Sequence, residues 1–430
     1  MADTLPSSVP VLVIGAGVHG LSTAWHLARC GERVLVLDKT GVAAGASGIA
    51  CGVVRNNYFQ PAMSELMAAC VEVWESDPET LHYHGNGYIA LGPLAQESDL
   101  IEVFERQQRI GYPSRLYIGE EQVSAHMRSL YPDWRAPGIT ACLHERVGGY
   151  AFNRESMFGL AEKARGAGAE IVTGVEVTGF RFDGAHAVTA VETTAGTIEV
   201  EQVVVAVGPW IASIWEQLGL PNRLDVRQPD GTIAADQPMW TYWYLQEGEI
   251  AVDPARFVTA DGRPSGVIHI DSHEPLRDDD GRAITNEPWG VYFKPDRTSV
   301  QGGAAPLRLG HEFAIDPYPT GSVDPDFPDM WCAALSHTLE RFAGGRGLYR
   351  QVRSGGVGAF TVDNFPVFDY LRPNVFVAAD SNHGYKMIAV GREIARILRG
   401  EPSTLLHPFR YERFSTGDLH PVSHSPYPWS

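Results

Sequence analysis

VLVIGAGVHG, residues 11–20, runs from an apolar strand-like segment straight into three glycines, Gly15, Gly17 and Gly20, spaced GxGxxG. The first glycine permits a tight turn, and the second lets a ligand's pyrophosphate approach the backbone. The third lets a helix pack closely on the strand. Downstream, Leu21, Ala24, Leu27 and Ala28 recur at helical spacing until Gly31. A second apolar run over residues 34–37 ends at Asp38. Strand, glycine turn, helix and strand make one βαβ unit. The helix N-terminus then faces the phosphates, and Asp38 is placed to accept hydrogen bonds from a ribose diol. This order of elements predicts a dinucleotide site. Val18 and His19 fill the variable positions of the loop, and His19 reads as a packing residue.

The same alternation returns later. Residues 156–166 read as a helix, 170–172 as a strand, and 203–207 as a buried strand ending in Gly208-Pro-Trp210. Near the end, residues 375–379 form another buried strand. It leads through Asp380-Ser-Asn-His-Gly-Tyr385 into a helix expected from about Lys386 to Arg399, stopped by Gly400. Residues 93–149 are polar and mostly helical in pattern. Residues 221–339 are rich in proline and aspartate and include Trp240-Thr-Tyr-Trp-Tyr-Leu245, which reads as a strand of an antiparallel sheet. The expected architecture is α/β (α+β overall). Segments 1–92, 150–220 and 340–412 form the nucleotide-binding domain, and 93–149 with 221–339 form a substrate domain. Residues 413–430 are expected to be an extended C-terminal arm.

With 430 residues and 44% hydrophobic content, the chain can bury a substantial core, roughly two to three domains by length. A net charge of −18 argues against a nucleic-acid surface, which needs clustered Lys and Arg. Five scattered cysteines without CxxC spacing fit a reducing compartment and neither a disulfide framework nor a zinc site. The opening MADTLPSSVP lacks a basic stretch followed by an apolar run, and no apolar stretch is long enough to span a bilayer. A cytoplasmic protein without membrane attachment is expected.

One arginine stands out. In GIACGVVRNNY, residues 48–58, Arg55 sits in a small, apolar run without an acidic neighbour. An arginine keeps its charge, so a buried one needs an anion from a distant carboxylate or from a ligand.

Four stretches in this order resemble the D-amino-acid oxidase superfamily of FAD-dependent amine oxidoreductases, in its sarcosine oxidase and glycine oxidase branch. They are GAGVHGLSTAWHLARCGERVLVLDK, GVAAGASGIACGVVRNNY, VEQVVVAVGPW, and NVFVAADSNHGYKMIAVGREIARILRGE followed by HPFRYERF. The resemblance spans nearly the whole chain and is loosest over 221–339. It implies a Rossmann-like FAD-binding domain of the glutathione-reductase type with an inserted antiparallel-sheet substrate domain. Gly15, Gly17, Val18, His19, Gly20, Asp38, Lys39, Ser47, Gly48, Val175, Gly208, Trp210, Gly384, Tyr385 and Lys386 are the implied FAD-binding residues.

The resemblance also implies roles at the substrate. Arg55 looks like the arginine that binds a substrate carboxylate, and Lys386 in SNHGYK like its lysine partner. Two cations in one pocket would repel each other unless an anion joined them. The alternative for Lys386 is an exposed lysine at a helix start. His383 resembles the histidine of that loop, either a proton-transfer group or one bonded to backbone. Lys294 in WGVYFK resembles the lysine that faces the flavin and promotes reaction with O2; its alternative is a solvent-facing strand lysine. Phe360, Tyr292 and Trp243, with Trp240 and Tyr242, are pocket-wall or ordinary core aromatics. The cysteine that tethers flavin in monomeric sarcosine oxidases is matched here by Gly358, so non-covalent FAD is expected.

The implied reaction oxidises a C–N bond of a small amino acid or N-methylated amine bearing a carboxylate, giving an imine and H2O2, with O2 as the expected acceptor. A dehydrogenase with a quinone or protein acceptor, a 2-hydroxy-acid oxidoreductase and a flavoprotein subunit of a larger complex remain alternatives. His82-x-His84 and His269-x3-His273 lack further ligands at metal-binding spacing, so no metal is expected.

Overall fold

Ser8–Ile14 becomes the centre of a parallel core because its residues are apolar on both faces, the pattern of a strand covered on two sides. In the computed structural model, which describes residues 5–318, 324–350, 355–379 and 383–425, it pairs in parallel with Gly196–Val205 and with Val34–Asp38. Glu170–Thr173 extends the parallel set beyond Val34–Asp38, and Val375–Ala379 joins the far end of Gly196–Val205. Antiparallel Val177–Phe182, Val188–Thr193 and Val367–Arg372 complete eight strands among the described residues. Alternate residues feed two cores. Val11 and Val13 pack under the helices Val18–Arg29, Asn153–Gly166 and Val390–Leu398. Leu12 and Ile14 pack on the other side with Ile211–Gln217.

Among the described residues, a second sheet of ten strands stands beside the first. Its strands pair antiparallel except at one junction, where Val267–Ser272 runs parallel to Tyr88–Gly92. The substrate sheet is therefore mixed, which corrects the antiparallel expectation. Antiparallel neighbours are set by hairpins; these two strands are joined only by a long excursion, which permits a parallel pairing. Tyr88–Gly92 and Gly355–Phe360 both belong to this sheet although they fall within segments expected to hold the nucleotide. Residues 93–149 also add the strand Ser114–Ile118 between their two helices and Ala141–Glu145 after them. Ser114–Ile118 is partly exposed along its length, so its apolar signal is weak.

The last long helix begins at Val390, four residues later than expected, and Gly384–Lys386 is a separate tight turn. Side chains capture the carbonyls that a longer helix would use: Trp74 Nε1 donates to Lys386 O at 2.9 Å and Ser22 Oγ to Ile388 O at 2.6 Å. Asp380, Ser381 and Asn382, and the last five residues of the tail, lie outside the described residues. Within the segment expected to be an arm, residues 417–425 carry no helix or strand. Arg413–Thr416 is a short helix, and Arg413 is 2% exposed. The five cysteines are free. No helix among the described residues is long and apolar enough to cross a membrane.

Arg413 forks onto Asp363 at 2.8 and 2.9 Å and also bonds Phe365 O and Phe409 O. Burial alone would raise the Asp363 pKa, but Arg413 holds it below the ordinary aspartate value. Arg413→Met would strand a buried carboxylate and should cost about 3–5 kcal/mol in urea unfolding near neutral pH. Adding Asp363→Asn should recover much of that loss. The pair's contribution is full above pH 3.8 and fades as pH falls through the depressed folded value.

Candidate active site

A cavity of about 580 Å³ lies between the two sheets, reached by the glycine turn on one side and by Tyr242, Glu247 and Tyr292 on the other. At the turn, Gly17 caps the helix without a side-chain hydrogen bond, so apart from Val18 N, which Ser47 takes, the first-turn amides suit an anion. A Cβ on Gly15 would come within 2.3 Å of Ala206 O, and one on Gly20 within 1.9 Å of Gly15 O. Asp38 stiffens the loop, accepting from Ala16 N at 2.9 Å and from Thr40 N and Gly41 N, both at 2.8 Å. Ser47 Oγ accepts from Val18 N at 3.2 Å. Lys39 pairs with Asp316 at 2.6 Å and lies 4.4 Å from the Trp210 ring, whose Nε1 also donates to Asp316.

Val175, Gly208, His19, Gly384 and Tyr385 share this wall. Burial holds the His19 pKa at about 4, so its imidazole is neutral, and its Nε2 has no hydrogen-bond partner among the described residues. Tyr385 bonds Ser156 Oγ at 2.6 Å and stacks on Trp74. Gly20 and Gly48 do not line the cavity: both support it from behind, and a Cβ on Gly48 would meet Ala43 O at 1.8 Å.

Arg55 and Lys386 line the other end. The Arg55 guanidinium donates to Asn57 O and lies 4.5 Å from the Tyr58 ring centre and 5.4 Å from that of Tyr88. The Lys386 ammonium lies 6.0 Å from the same Tyr58 ring. Neither cation has a carboxylate within 4.0 Å among the described residues. Burial weakens the charge of Arg55, yet Tyr88, Tyr58, Glu145 and Asp271 together keep its pKa above the ordinary value. His383 bonds Tyr58 Oη through Nδ1 at 3.0 Å rather than backbone. Burial first, then Lys386 and Arg55, push its pKa well below 6.5, so it sits as a neutral imidazole.

Besides Gly20 and Gly48, the expected residues Lys294, Trp243, Phe360 and Trp240 stand outside the lining. Lys294 is 1% exposed, bonded to Asp296 at 2.8 Å, with its ammonium 5.3 Å from the Tyr150 ring. It shares the Tyr292 face of its strand but lies one pleat further along. Trp243 and Phe360 face each other at 6.1 Å, while Tyr242 and Tyr292 line the cavity. Trp243 is one residue from Tyr242, and the pleat turns it to the other face. Trp240 packs edge-on against Trp215 in the core.

The family model described as FAD dependent oxidoreductase matches residues 10–397. The chain belongs to that family. Among relatives, sarcosine oxidase subunit beta of Arthrobacter sp is 30% identical over 228 residues, covering 48% of this chain and 56% of the relative. Peroxisomal sarcosine oxidase of Homo sapiens is 24% identical over 219 residues, covering 50% and 54%. The match therefore spans about half the length of these curated relatives. Among solved structures, L-proline dehydrogenase from P. horikoshii superposes with a TM-score of 0.76 at 20% identity, covering 96% of this chain and 100% of that one. Glycine oxidase from Geobacillus kaustophilus gives 0.69 at 19% identity, covering 94% and 98%.

FAD fits the residues present. The Gly15–Gly17 turn leaves room where any side chain would intrude, the helix amides suit a pyrophosphate, and Asp38 suits a ribose. Sequence reasoning missed Glu247, Cys51, Tyr88 and His269, all on the lining. His269 was weighed as a metal ligand. Instead it bonds Tyr88 Oη at 2.6 Å and lies 3.4 Å from Asp271, and no cluster of metal ligands exists among the described residues. Glu247 lies within the strand Thr241–Ile250, three residues after Tyr244, and an acid inside a buried strand was the signal available.

Asp38→Ala should weaken FAD binding on the order of 10- to 100-fold by removing charge-assisted hydrogen bonds. Titrating the flavin-free protein with FAD while following flavin fluorescence measures this.

Proposed function

We propose that this FAD-dependent oxidoreductase oxidises the C–N bond of a small amino acid or N-methylated amine carrying a carboxylate. The observation that carries the reading is the meeting of Arg55 and Lys386 on one cavity wall, each without a protein carboxylate within 4.0 Å among the described residues. A substrate carboxylate would relieve their repulsion and give Arg55 a planar, two-pronged partner. The names of the sarcosine oxidase relatives agree with that chemistry.

Each residue then has a defined task. Arg55 and Lys386 hold the carboxylate, and Tyr58 lies against both, fixing their separation. Neutral His383 accepts from Tyr58 Oη or donates to it and keeps that ring in place. Tyr242 and Tyr292 close the wall against water. Bound FAD supplies the two-electron acceptor for the hydride equivalent leaving the carbon next to nitrogen. Gly358 at the position of a tethering cysteine supports non-covalent FAD, which acid precipitation should release.

For the final acceptor, O2 giving H2O2 is the leading reading. Lys294 lies within electrostatic reach of the lining residues Cys51 and Glu247 and would favour superoxide. Its pairing with Asp296 favours a second reading, since a neutralised cation helps O2 less and a quinone or protein acceptor would then serve.

Anaerobic mixing with N-methyl, D- and cyclic amino acids should bleach the flavin with at least one of them. Arg55→Met should weaken that substrate on the order of 10²- to 10³-fold in apparent affinity while flavin remains bound. A yellow protein bleached by no carboxylated amine would sink the reading. Lys294→Met separates the acceptors: an oxidase should lose about 10²-fold or more in reoxidation by O2 while reduction by the amine persists. Slow reoxidation already in the unaltered protein, with rapid turnover on a soluble quinone, would select the dehydrogenase.

A further inference from the structure

We propose that Glu247 is a catalytic residue that takes a proton from the substrate's ammonium nitrogen, so that the amine is neutral when its C–H bond breaks. The proposal rests on the amine reading above. Among the described residues, four carboxyl groups line the cavity: Asp38, Glu176, Glu247 and Asp316. Asp38 accepts from three backbone amides at the ribose end of the cavity, and Asp316 is held by Lys39 and Trp210. Glu176 adjoins Val175 at the end of the nucleotide-binding sheet. Glu247 is the one carried by the second sheet, on the wall shared with Tyr292, and Tyr292 in turn feels Arg55.

The hydrogen bonds of Glu247 are lopsided. Oε1 accepts from Cys51 N at 2.9 Å and from Tyr292 Oη at 3.1 Å, while Oε2 takes a long contact of 3.4 Å from Gln301 Nε2, and the nearby Gly355 amide also favours the charged form. Two donors thus fix the carboxylate, and its second oxygen keeps lone pairs for a proton. Glu247 is 3% exposed, so bulk water competes little for that oxygen. In the step, the substrate N–H bond breaks and an O–H bond forms on Oε2. The electron pair stays on nitrogen, where it can enter the C=N bond as the C–H electrons leave. The transfer itself oxidises nothing.

The surroundings poise the group near neutrality. Burial is the largest influence and raises its pKa to about 7, opposed by the Cys51 amide, Tyr292 and Lys294. The other titratable groups facing it stay uncharged. Cys51 and Tyr292 are pushed well above their ordinary values, mainly by burial and then by Glu247 itself. Tyr244 and Tyr318 are raised as well. Asp296, beyond Lys294, is bound to that lysine. Glu247 therefore becomes a proton acceptor as pH rises through about 7.

The test is stopped-flow anaerobic reduction of the FAD-loaded full chain by sarcosine, glycine, L-proline and D-alanine between pH 5.5 and 9.5. Propionate binding, read from flavin absorbance, runs in parallel. The unaltered protein should show a limiting reduction rate that rises through about pH 7 to a plateau. Glu247→Gln should lose that rise and fall on the order of 10²- to 10⁴-fold at pH 7.5, with the rate now tracking free neutral amine. Propionate affinity should stay within about threefold, since Arg55 and Lys386 are untouched, whereas a loss of substrate binding would lower it. Tyr292→Phe, which removes a donor to the carboxylate, should move the rise to higher pH and covers the case in which Glu247→Gln does not fold. A Glu247→Gln protein with the unaltered pH profile, or a rise that Tyr292→Phe leaves in place, overturns the proposal while the amine reading stands. If none of the four amino acids reduces the unaltered protein, both fall together.

Discussion

The helix Val18–Arg29 is enclosed on nearly every side, with ten of its twelve residues buried, and the site depends on how closely other backbones approach it. Gly20 rests on the Gly15 carbonyl. Gly391 brings the last long helix so near that a Cβ there would lie 2.3 Å from Thr23 N. These contacts tie the first and last segments of the nucleotide-binding half to one rod. Ser22 reaches from that rod to Ile388 O, and Trp74, on the helix Pro61–Ser76, reaches Lys386 O. The turn carrying His383 and Lys386 is thereby held by the same helix whose N-terminus faces the cofactor, so cofactor and carboxylate sites share one frame. A methyl group at Gly20 or Gly391 would disturb both at once.

That frame holds two cations together inside a protein of net charge −18. Distant acids could have neutralised them, yet Glu145 and Asp271 influence Arg55 only from beyond ion-pair distance. Aromatic faces do part of the work instead. Tyr58 lies against both cations and Tyr88 against one, and a ring face stabilises a cation without ending its demand for an anion. The neighbouring imidazole responds in the expected direction: beside two positive charges and away from water, His383 stays neutral. The pocket's selectivity for an anionic group is thus built from charge left partly unmet, at the cost of like-charge repulsion.

The βαβ unit was legible because its signal is local: strand, glycines, helix period and terminal acid fall within about thirty residues. Arg55 was legible for a different reason, as a charge out of keeping with its neighbours. The second sheet was harder. Its strands come from widely separated stretches, and which strands pair is decided by contacts that periodicity does not record. Tyr88–Gly92 and Gly355–Phe360 carry no mark of the sheet they join. The pleat also settles which aromatic of a run faces the cavity, and a one-residue error exchanges Tyr242 for Trp243. The start of the last long helix was misplaced because two side chains far away in sequence, Trp74 and Ser22, take its carbonyls. Glu247 went unremarked because nothing beside it in the chain shows that Cys51 and Tyr292 converge on it.

Burial acts on both partners of a proton transfer in this cavity. It disfavours every charged form, raising a carboxylic acid and lowering an ammonium, so two groups several pKa units apart in water approach each other. A zwitterionic substrate beside an ionised Glu247 would place three charges of the substrate and its acceptor in a low-dielectric space. Moving one proton removes two of them and leaves the carboxylate against Arg55 and Lys386. The cavity's total charge does not change, but the charge that remains is the one the two cations are arranged to meet. The same exclusion of water that makes the paired cations strong binders thus also makes a neutral amine the favoured state, and a neutral amine is the form whose nitrogen lone pair is free to become the C=N bond.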